Sequence, residues 1–285
     1  MPDVTSHDGA IIHYEVFGSG YPLVLIAPGG VNSELASWQR STIKPVDLFA
    51  DEFMLIAMDQ RYAGQSIPPL KPFSYVDAMH DIRAVLDDAG VEKAHFMGGC
   101  IGCAYIWRFI HDHPDRVSAA VGQDPVGLDH TNSPDVFYRM FHETMRLARA
   151  EGMEAVVNAA MENPTFVMNN AAGPFARRIH DDPAFRQEVI DMGRERYILL
   201  ITAFRDGIWP QNPPYFTVSE DWMRTCPAPL LVLPGNDPFH PTSVGEQICR
   251  EAPNARCLDV DARSEEKLPG TIETLREFLR TNTPA

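Results

Sequence analysis

The sequence predicts an α/β fold, in which a mostly parallel central sheet is flanked by helices on both faces. Residues 22–26, 53–58 and 230–233 are short, continuous apolar runs, as is typical of strands buried on both faces. Helical patterns alternate with these runs, which favours parallel strands joined by crossover helices. Turns rich in glycine, aspartate or proline follow the runs, at the sheet edge where such folds bind ligands.

In chain order, residues 11–17 form the first predicted strand, and the turn Gly18-Ser19-Gly20 follows them. The buried strand at 22–26 ends in Pro28-Gly29-Gly30, and a helix carrying Leu35 and Trp38 comes next. The strand at 53–58 ends at the segment that begins with Asp59. A helix is predicted over 74–89, because a serine stands at its start and apolar residues recur at helical spacing.

The second half of the chain begins with a strand at 94–97 and a helix at 101–113, which ends before a proline. A strand at 117–121 follows. Residues 126–225 contain helical stretches and no convincing buried strand, which predicts a helical cap inserted between core segments 1–125 and 226–285. Within the last segment we expect strands at 230–233 and 256–260, and helices near 242–252 and at 271–280.

Composition limits the class of protein. The 285 residues, 45% of them apolar, suit one large α/β domain or a core with an inserted cap. No apolar run approaches membrane-spanning length and the first residues lack a secretory signal, so we expect no membrane span and no secretion. Five cysteines without framework spacing predict a cytoplasmic protein. A net charge of −15 disfavours nucleic acid and anionic membranes as partners.

Cys100 is the strongest candidate for chemistry. It lies at the apex of Gly98-Gly99-Cys100-Ile101-Gly102, where small residues two positions before and after the apex avoid crowding by neighbouring backbone. The apex coincides with the first turn of a helix, where free amides favour a thiolate. Cys100 and Cys103 also form a C-x-x-C pair, so the pentapeptide alone leaves a structural cysteine and a redox pair open. We interpret the remaining cysteines as structural: Cys103, Cys226, Cys249 and Cys257.

Four motifs in this order resemble the α/β-hydrolase fold superfamily over nearly the whole chain. The pentapeptide around Cys100 matches its nucleophile elbow, with cysteine where serine is usual. Residues 59–66 match the D-x-R-G-x-G-x-S run with Tyr62 replacing one glycine. Pro28-Gly29-Gly30 stands where the oxyanion segment lies, and residues 234–238 stand where the acid of a triad follows a late strand.

The resemblance implies a nucleophile, an acid and a histidine in that chain order. Carried over by position, Cys100 is the nucleophile and Asp237 the acid, and the amides of Gly30 and Ile101 form the oxyanion hole. Asp124, which ends the strand after the elbow helix, is an alternative acid, although an Asp-Pro turn also explains it. Asp59 is interpreted as a brace for its own turn.

The sequence departs from the family at the histidine. The segment after the last predicted strand, residues 259–267, contains none, and the last histidine of the chain is His240. Three explanations stay open. His240 is a relocated base on the loop of Asp237, or a histidine of the predicted cap supplies the base, or no base acts. The candidates in the cap are His130, His142 and His180.

These residues predict a cysteine-dependent hydrolase or acyltransferase that acts on an ester, lactone or thioester through an acyl-thioenzyme. The alternatives are a non-covalent lyase or isomerase on the same fold and a ligand-binding protein with a degenerate triad. Seven of the twelve methionines fall in residues 126–225, which favours a small, partly apolar substrate. Neither metal-ligand spacing nor a glycine-rich phosphate loop occurs, so we expect no metal and no cofactor. The seven methionines of residues 126–225 are Met140, Met145, Met153, Met161, Met168, Met192 and Met223.

Overall fold

A computed structural model describes residues 2–166 and 171–284 and contains an eight-stranded sheet. The strands pair in the order β1-β2-β4-β3-β5-β6-β7-β8, and all neighbours are parallel except the pairs made by β2. The predicted α/β-hydrolase fold with a mostly parallel sheet flanked by helices is therefore confirmed. The strands are β1 (Asp3–Thr5), β2 (Ile11–Phe17), β3 (Tyr21–Ile26), β4 (Phe53–Met58), β5 (Ala94–Gly99), β6 (Val117–Gln123), β7 (Leu230–Leu233) and β8 (Ala255–Cys257).

The middle of the sheet is buried on both faces. Every residue of β5, β6 and β7 is buried, which explains why these strands have no apolar–polar alternation. In the register of the sheet, Ile26 pairs with Gly98, Gly98 with Gly122, and Gly122 with Val232. The carboxyl ends of four neighbouring strands therefore lie level. The segments that follow them meet at one edge of the sheet.

The helices predicted at 74–89, 101–113, near 242–252 and at 271–280 are present with ends that differ by up to three residues, whereas the helix at 45–49 was not predicted. The segment around Leu35 and Trp38 is a 3-10 helix, Leu35–Arg40, and further 3-10 turns cover Gly30–Asn32, Pro114–Arg116 and Arg139–Phe141. The α-helices are α1 (Pro45–Phe49), α2 (Tyr75–Asp88), α3 (Ile101–Asp112), α4 (Asp135–Tyr138), α5 (His142–Glu151), α6 (Met153–Glu162), α7 (Ala176–Asp181), α8 (Pro183–Met192), α9 (Arg194–Ile208), α10 (Glu220–Met223), α11 (Thr242–Glu251) and α12 (Leu268–Thr281).

The predicted strand at 256–260 is wrong in its extent. Strand β8 ends at Cys257, and the last ladder bond beyond it is donated by the amide of Leu258 to the carbonyl of Val232. Strand β8 is an edge strand and pairs only with the four-residue β7, so its partner ends before the apolar pattern of the sequence does. The final helix begins earlier than predicted, at Leu268, because a proline in its first turn suits a helix start.

The chain divides into two compact units. The first comprises Met1–Pro69, Tyr75–Asn132 and Asn212–Ala285, and the second comprises Leu70–Ser74 and Ser133–Gln211. The second unit is helical, without a strand among its described residues, but it is shorter than the predicted insertion at 126–225. Residues 126–132 and 212–225 belong to the first unit, where the amide of Leu128 donates to the carbonyl of Pro214 at 2.9 Å. A role as a cap stays a prediction, and Met168 lies outside the described residues.

In the described ranges no helix has both the length and the apolar character needed to cross a membrane. Cys249 on α11 and Cys257 on β8 form a disulfide, whereas Cys100, Cys103 and Cys226 are unpaired. The cysteine count did not anticipate this pair, because the packing of a helix on an edge strand brings the two residues together. Disulfides persist mainly in oxidising compartments, so this pair weakens the argument for a cytoplasmic location, which stays a prediction.

Candidate active site

The turn between β5 and α3 holds Cys100 in a conformation that its glycine neighbours make possible. Cys100 has φ 55° and ψ −121°, a region that side-chain-bearing residues rarely adopt. A Cβ on Gly98 would lie 2.7 Å from the Gly102 backbone, and a Cβ on Gly102 would lie 2.2 Å from the Ile26 carbonyl oxygen. The crowding inferred from the sequence therefore exists on both sides of the apex. The Cys100 amide donates to the carbonyl of Gln123 at 2.9 Å, which ties the turn to β6.

The surroundings of Cys100 favour its thiolate form. Removal from water raises the pKa of the thiol, but the charge of the nearby His240 lowers that pKa. The backbone amides of Gly29 and Ile101 lower it further, because an N–H donor stabilises a sulfur anion. The net effect places the pKa of Cys100 below its ordinary value. The side chain stays partly exposed, so a substrate can reach it.

His240 and Asp237 lie on the loop that follows β7. His240 Nδ1 is 2.8 Å from Asp237 Oδ2, and the other carboxylate oxygen accepts from the amides of Phe239 at 2.8 Å and His240 at 3.2 Å. Backbone hydrogen bonds between Asp237 and His240 close the loop into a tight turn. A spacing of three residues therefore suffices for a carboxylate to hold the imidazole in a fixed orientation.

His240 is electrostatically coupled to Cys100. Burial lowers the pKa of His240, but the negative charge of Cys100 and the hydrogen bond with Asp237 outweigh burial and raise it to about 10. His240 Nε2 is shielded from solvent and has no hydrogen-bond partner among the described residues. The charge that acts on the imidazole from this neighbourhood is that of Cys100. The hydrogen bond from His240 lowers the pKa of Asp237. Each shift favours the charged form of its group: the thiolate of Cys100, the imidazolium of His240 and the carboxylate of Asp237.

The early loop contributes an amide to the electrostatics of Cys100. The amide of Gly29 lowers the pKa of the thiol, and Gly30, the residue predicted for the oxyanion hole, begins the 3-10 turn Gly30–Asn32. The place of Gly30 in an oxyanion hole stays a prediction. Gly29 has φ 130°, and a Cβ there would lie 2.6 Å from the Asn32 carbonyl oxygen. Only glycine fits this position without strain. The amide of Ile101, the other residue predicted for the oxyanion hole, also lowers the pKa of the thiol, and its role in the hole stays a prediction.

Asp124, the alternative acid, is occupied by another partner. Both of its carboxylate oxygens accept from the guanidinium of Arg263, which also donates to the Pro234 carbonyl at 3.0 Å. Arg263 lies in the segment after β8, where the family places its histidine. The ion pair therefore links that segment to the start of the loop carrying Asp237 and His240. Sequence reasoning noted this segment only for its missing histidine and overlooked the arginine within it.

The other histidine candidates have surroundings typical of surface residues. The His130 side chain is 86% exposed, His142 is exposed, and His180 Nδ1 is 2.6 Å from the neighbouring Asp181 carboxylate. Of all the histidines considered, His240 is the one that interacts with Cys100. Asp59 accepts from the amides of Leu35 and Gln65, both at 2.8 Å, which is the bracing arrangement predicted for it.

The redox interpretation of Cys100 and Cys103 gains no support from the geometry. Cys103 is buried in α3, where its thiol donates to the carbonyls of Gly98 and Gln123, both at 3.4 Å. Burial, reinforced by the nearby charge of Cys100, holds the pKa of Cys103 well above its usual range. A protonated, backbone-bonded thiol is a poor partner for thiol–disulfide exchange.

Within the described ranges, His7, Asp8 and Asp77 are a group of potential metal ligands, with ligand atoms within 4.8 Å of one another. Arg61 Nη1 lies 3.4 Å from a carboxylate oxygen of each aspartate, so a fixed cation already compensates their charge. His7 Nε2 is 3.2 Å from Asp77. The group has the character of an ion-pair network, and we assign no metal to it.

The sequence is similar to those of known hydrolases. A profile of the alpha/beta hydrolase fold family matches residues 22–167, and the chain belongs to this family. RutD of Azorhizobium caulinodans, which bears the name of a carbamate hydrolase, is 28% identical over 171 residues, covering 59% of this chain and 61% of RutD. Epoxide hydrolase 3 of Siraitia grosvenorii is 33% identical over 118 residues, which cover 40% of this chain and 35% of that enzyme.

Solved structures agree with the fold along nearly the whole chain. A meta-cleavage product hydrolase from Pseudomonas fluorescens superposes with a TM-score of 0.64 at 17% identity, covering 99% of this chain and 98% of that one. The enol-lactonase from Burkholderia xenovorans superposes with a TM-score of 0.61 at 18% identity, covering 98% of this chain and 100% of that one. At such identities the likeness concerns the fold alone.

Proposed function

We propose that this protein is a hydrolase that cleaves an ester, lactone or thioester through a covalent bond to Cys100. One observation carries the proposal: the imidazole of His240 is held by Asp237 on one side and is coupled to the Cys100 thiol on the other. The hydrolase names of relatives such as RutD and epoxide hydrolase 3 support the reaction class. The cysteine nucleophile, in place of the usual serine, is proposed from the residues of this chain.

In the first half of the reaction, the Cys100 thiolate adds to the substrate carbonyl carbon and the carbonyl electrons move to oxygen. The amides of Gly30 and Ile101, which the family resemblance assigns to the oxyanion hole, would stabilise this oxyanion. The amide of Gly29, which stabilises a negative sulfur, lies in the same loop as Gly30. Collapse of the adduct breaks the bond to the leaving group, which takes a proton from His240 Nε2. The products are an acyl-thioenzyme, the released alcohol or thiol, and a neutral imidazole.

In the second half, neutral His240 accepts a proton from water while the water oxygen adds to the thioester carbon. Collapse releases the acid and restores the thiolate and imidazolium. Asp237 holds the ring through both halves and stabilises its charged form. If an alcohol or amine takes the place of water, the same residues perform acyl transfer.

The test is acyl-enzyme trapping on a panel of activated esters, lactones and thioesters. The wild type should accumulate an acyl group on the Cys100 peptide after acid quench. Cys100→Ala should lower turnover by about a thousandfold or more, and Cys100→Ser should retain little activity because its hydroxyl ionises poorly. Cys226→Ala, which removes another unpaired cysteine, is the matched control. Undiminished turnover by Cys100→Ala would refute covalent catalysis through Cys100.

A further inference from the structure

We propose that the cavity beside Cys100 selects acyl substrates carrying a negatively charged group such as a carboxylate, and that Arg40 is the residue that binds this group. This inference rests on the proposed function, since it names the substrate class of the same site. The cavity has a volume of about 360 Å³, at the small end of ligand sites, and Cys100 and His240 both line it. Arg40, Ser41 and Thr42 form another part of its wall.

Charges lining the cavity are paired, with one exception. Asp124 and Arg263 neutralise each other through their two-point contact. Cys100 and His240 form the second pair, in which each group favours the charged form of the other. The cation left over is Arg40, which has no carboxylate within ion-pair distance among residues 2–166 and 171–284. Once Cys100 is acylated its negative charge disappears, and the lining becomes more positive still.

Arg40 is an exposed residue that one hydrogen bond orients without neutralising its charge. It ends the 3-10 helix Leu35–Arg40, and its Nη2 donates to the hydroxyl of Ser37, a buried residue, at 2.8 Å. A guanidinium has five N–H donors in a planar fork, so this single bond leaves donors for a two-point contact with a carboxylate. The exposed hydroxyl of Thr42 and that of Ser41 lie beside it in the wall.

The chain has a net charge of −15 and is therefore rich in acidic side chains. Many of its arginines, such as Arg61, Arg276 and Arg280, are bound to carboxylates, although others outside the cavity have no such partner among the described residues. None of the acidic side chains pairs with Arg40 among the described residues. A substrate carboxylate would supply the missing anion. The same cation would repel a positively charged substrate, and a neutral substrate would form no ion pair with it.

The test compares two alkylating reagents of similar size, anionic iodoacetate and neutral iodoacetamide. Both attack the same thiolate, so the ratio of their rates at Cys100 cancels any change in thiol ionisation. The ratio should fall about three- to tenfold in Arg40→Gln, the effect of one ion pair across a solvated cavity. Arg40→Lys should retain most of the wild-type ratio. Added salt should lower the ratio in the wild type more than in Arg40→Gln.

Arg250→Gln is the matched control, since it makes the same change in net charge on a side chain that is 65% exposed and outside the cavity. Its ratio should equal that of the wild type. An unchanged ratio in Arg40→Gln would overturn the proposal. The alkylation rates are measured near pH 9, where even a thiol of ordinary pKa reacts if it is accessible. The experiment therefore does not depend on catalytic turnover.

A second comparison separates this proposal from the proposed function. Thioesters of a dicarboxylic acid are compared with their neutral methyl-ester analogues. If both acylate Cys100 equally well, covalent catalysis stands and selection of anions by Arg40 fails. If neither acylates Cys100 while the alkylation ratio still depends on Arg40, the anion site stands and covalent catalysis fails. A preference for the charged thioester that Arg40→Gln abolishes through KM would support both.

Discussion

Replacing His240 with alanine is expected to raise the pKa of the Cys100 thiol. Burial, which raises that pKa, remains in the variant, whereas the charge of His240 that offsets it is removed. A nearby opposite charge shifts a pKa by about 1–3 units, and each unit is about tenfold in ionisation. At neutral pH the thiolate fraction, and with it the alkylation rate, should therefore fall by about ten- to a hundredfold.

The assay is the rate of iodoacetamide modification of Cys100 against pH, followed by peptide mass mapping. His130→Ala is the matched control, because its side chain is 86% exposed and touches no part of the site. Asp237→Asn should give an intermediate profile, since the imidazole stays but loses the carboxylate that favours its charged form. Identical profiles for the wild type and His240→Ala would refute the coupling and leave the amides of Gly29 and Ile101 as the cause of the lowered pKa.

Three further predictions follow from the geometry. The pH profile of kcat/KM for an ester should be bell-shaped: activity is lost as pH falls through the lowered pKa of Cys100 and as pH rises through that of His240, which is raised to about 10. Urea unfolding should show that Gly102→Ala, whose Cβ would lie 2.2 Å from a β3 carbonyl oxygen, loses about 3 kcal/mol, whereas Gly270→Ala, with nothing within 4 Å, gains about 0.5 kcal/mol. Arg263→Gln should lose about 1–2 kcal/mol in the same assay, because a half-buried carboxylate is left unpaired, and a double-mutant cycle with that partner measures the coupling.

The fold was predictable from the sequence for strands that are buried on both faces. Strands covered on both faces, such as β5 and β6, leave continuous apolar runs that sequence alone identifies. Prediction failed at the edges, where β1 has three residues and β8 ends early, because pairing with a single short neighbour leaves little pattern. The limits of the helical unit were missed for another reason. Residues 70–74 belong to it through contacts distant in sequence, such as that of Phe73 with Phe204.

The candidate site was predictable where function coincides with a strand end. Cys100, Asp237 and His240 were named because each follows a strand of a parallel sheet, and the level register brings their loops together. Arg40 and Arg263 gave no such signal. Arg40 ends a 3-10 helix that belongs to no motif, and Arg263 gains its meaning from a partner 139 residues away in the chain.

The sequence by itself determined the sheet and the sharp turn at Cys100, because both depend on local sterics and on the pattern of apolar residues. Glycine at 98 and 102 is required by backbone crowding that any such turn creates. Only the tertiary structure decided that His240 and Cys100 influence each other's pKa, that the amide of Gly29 lowers the pKa of the thiol, and that Arg40 lines the cavity without a carboxylate partner among the described residues. These interactions and placements involve loops that lie far apart in the sequence. Distances and solvent exclusion, which set the charge states, exist only after folding.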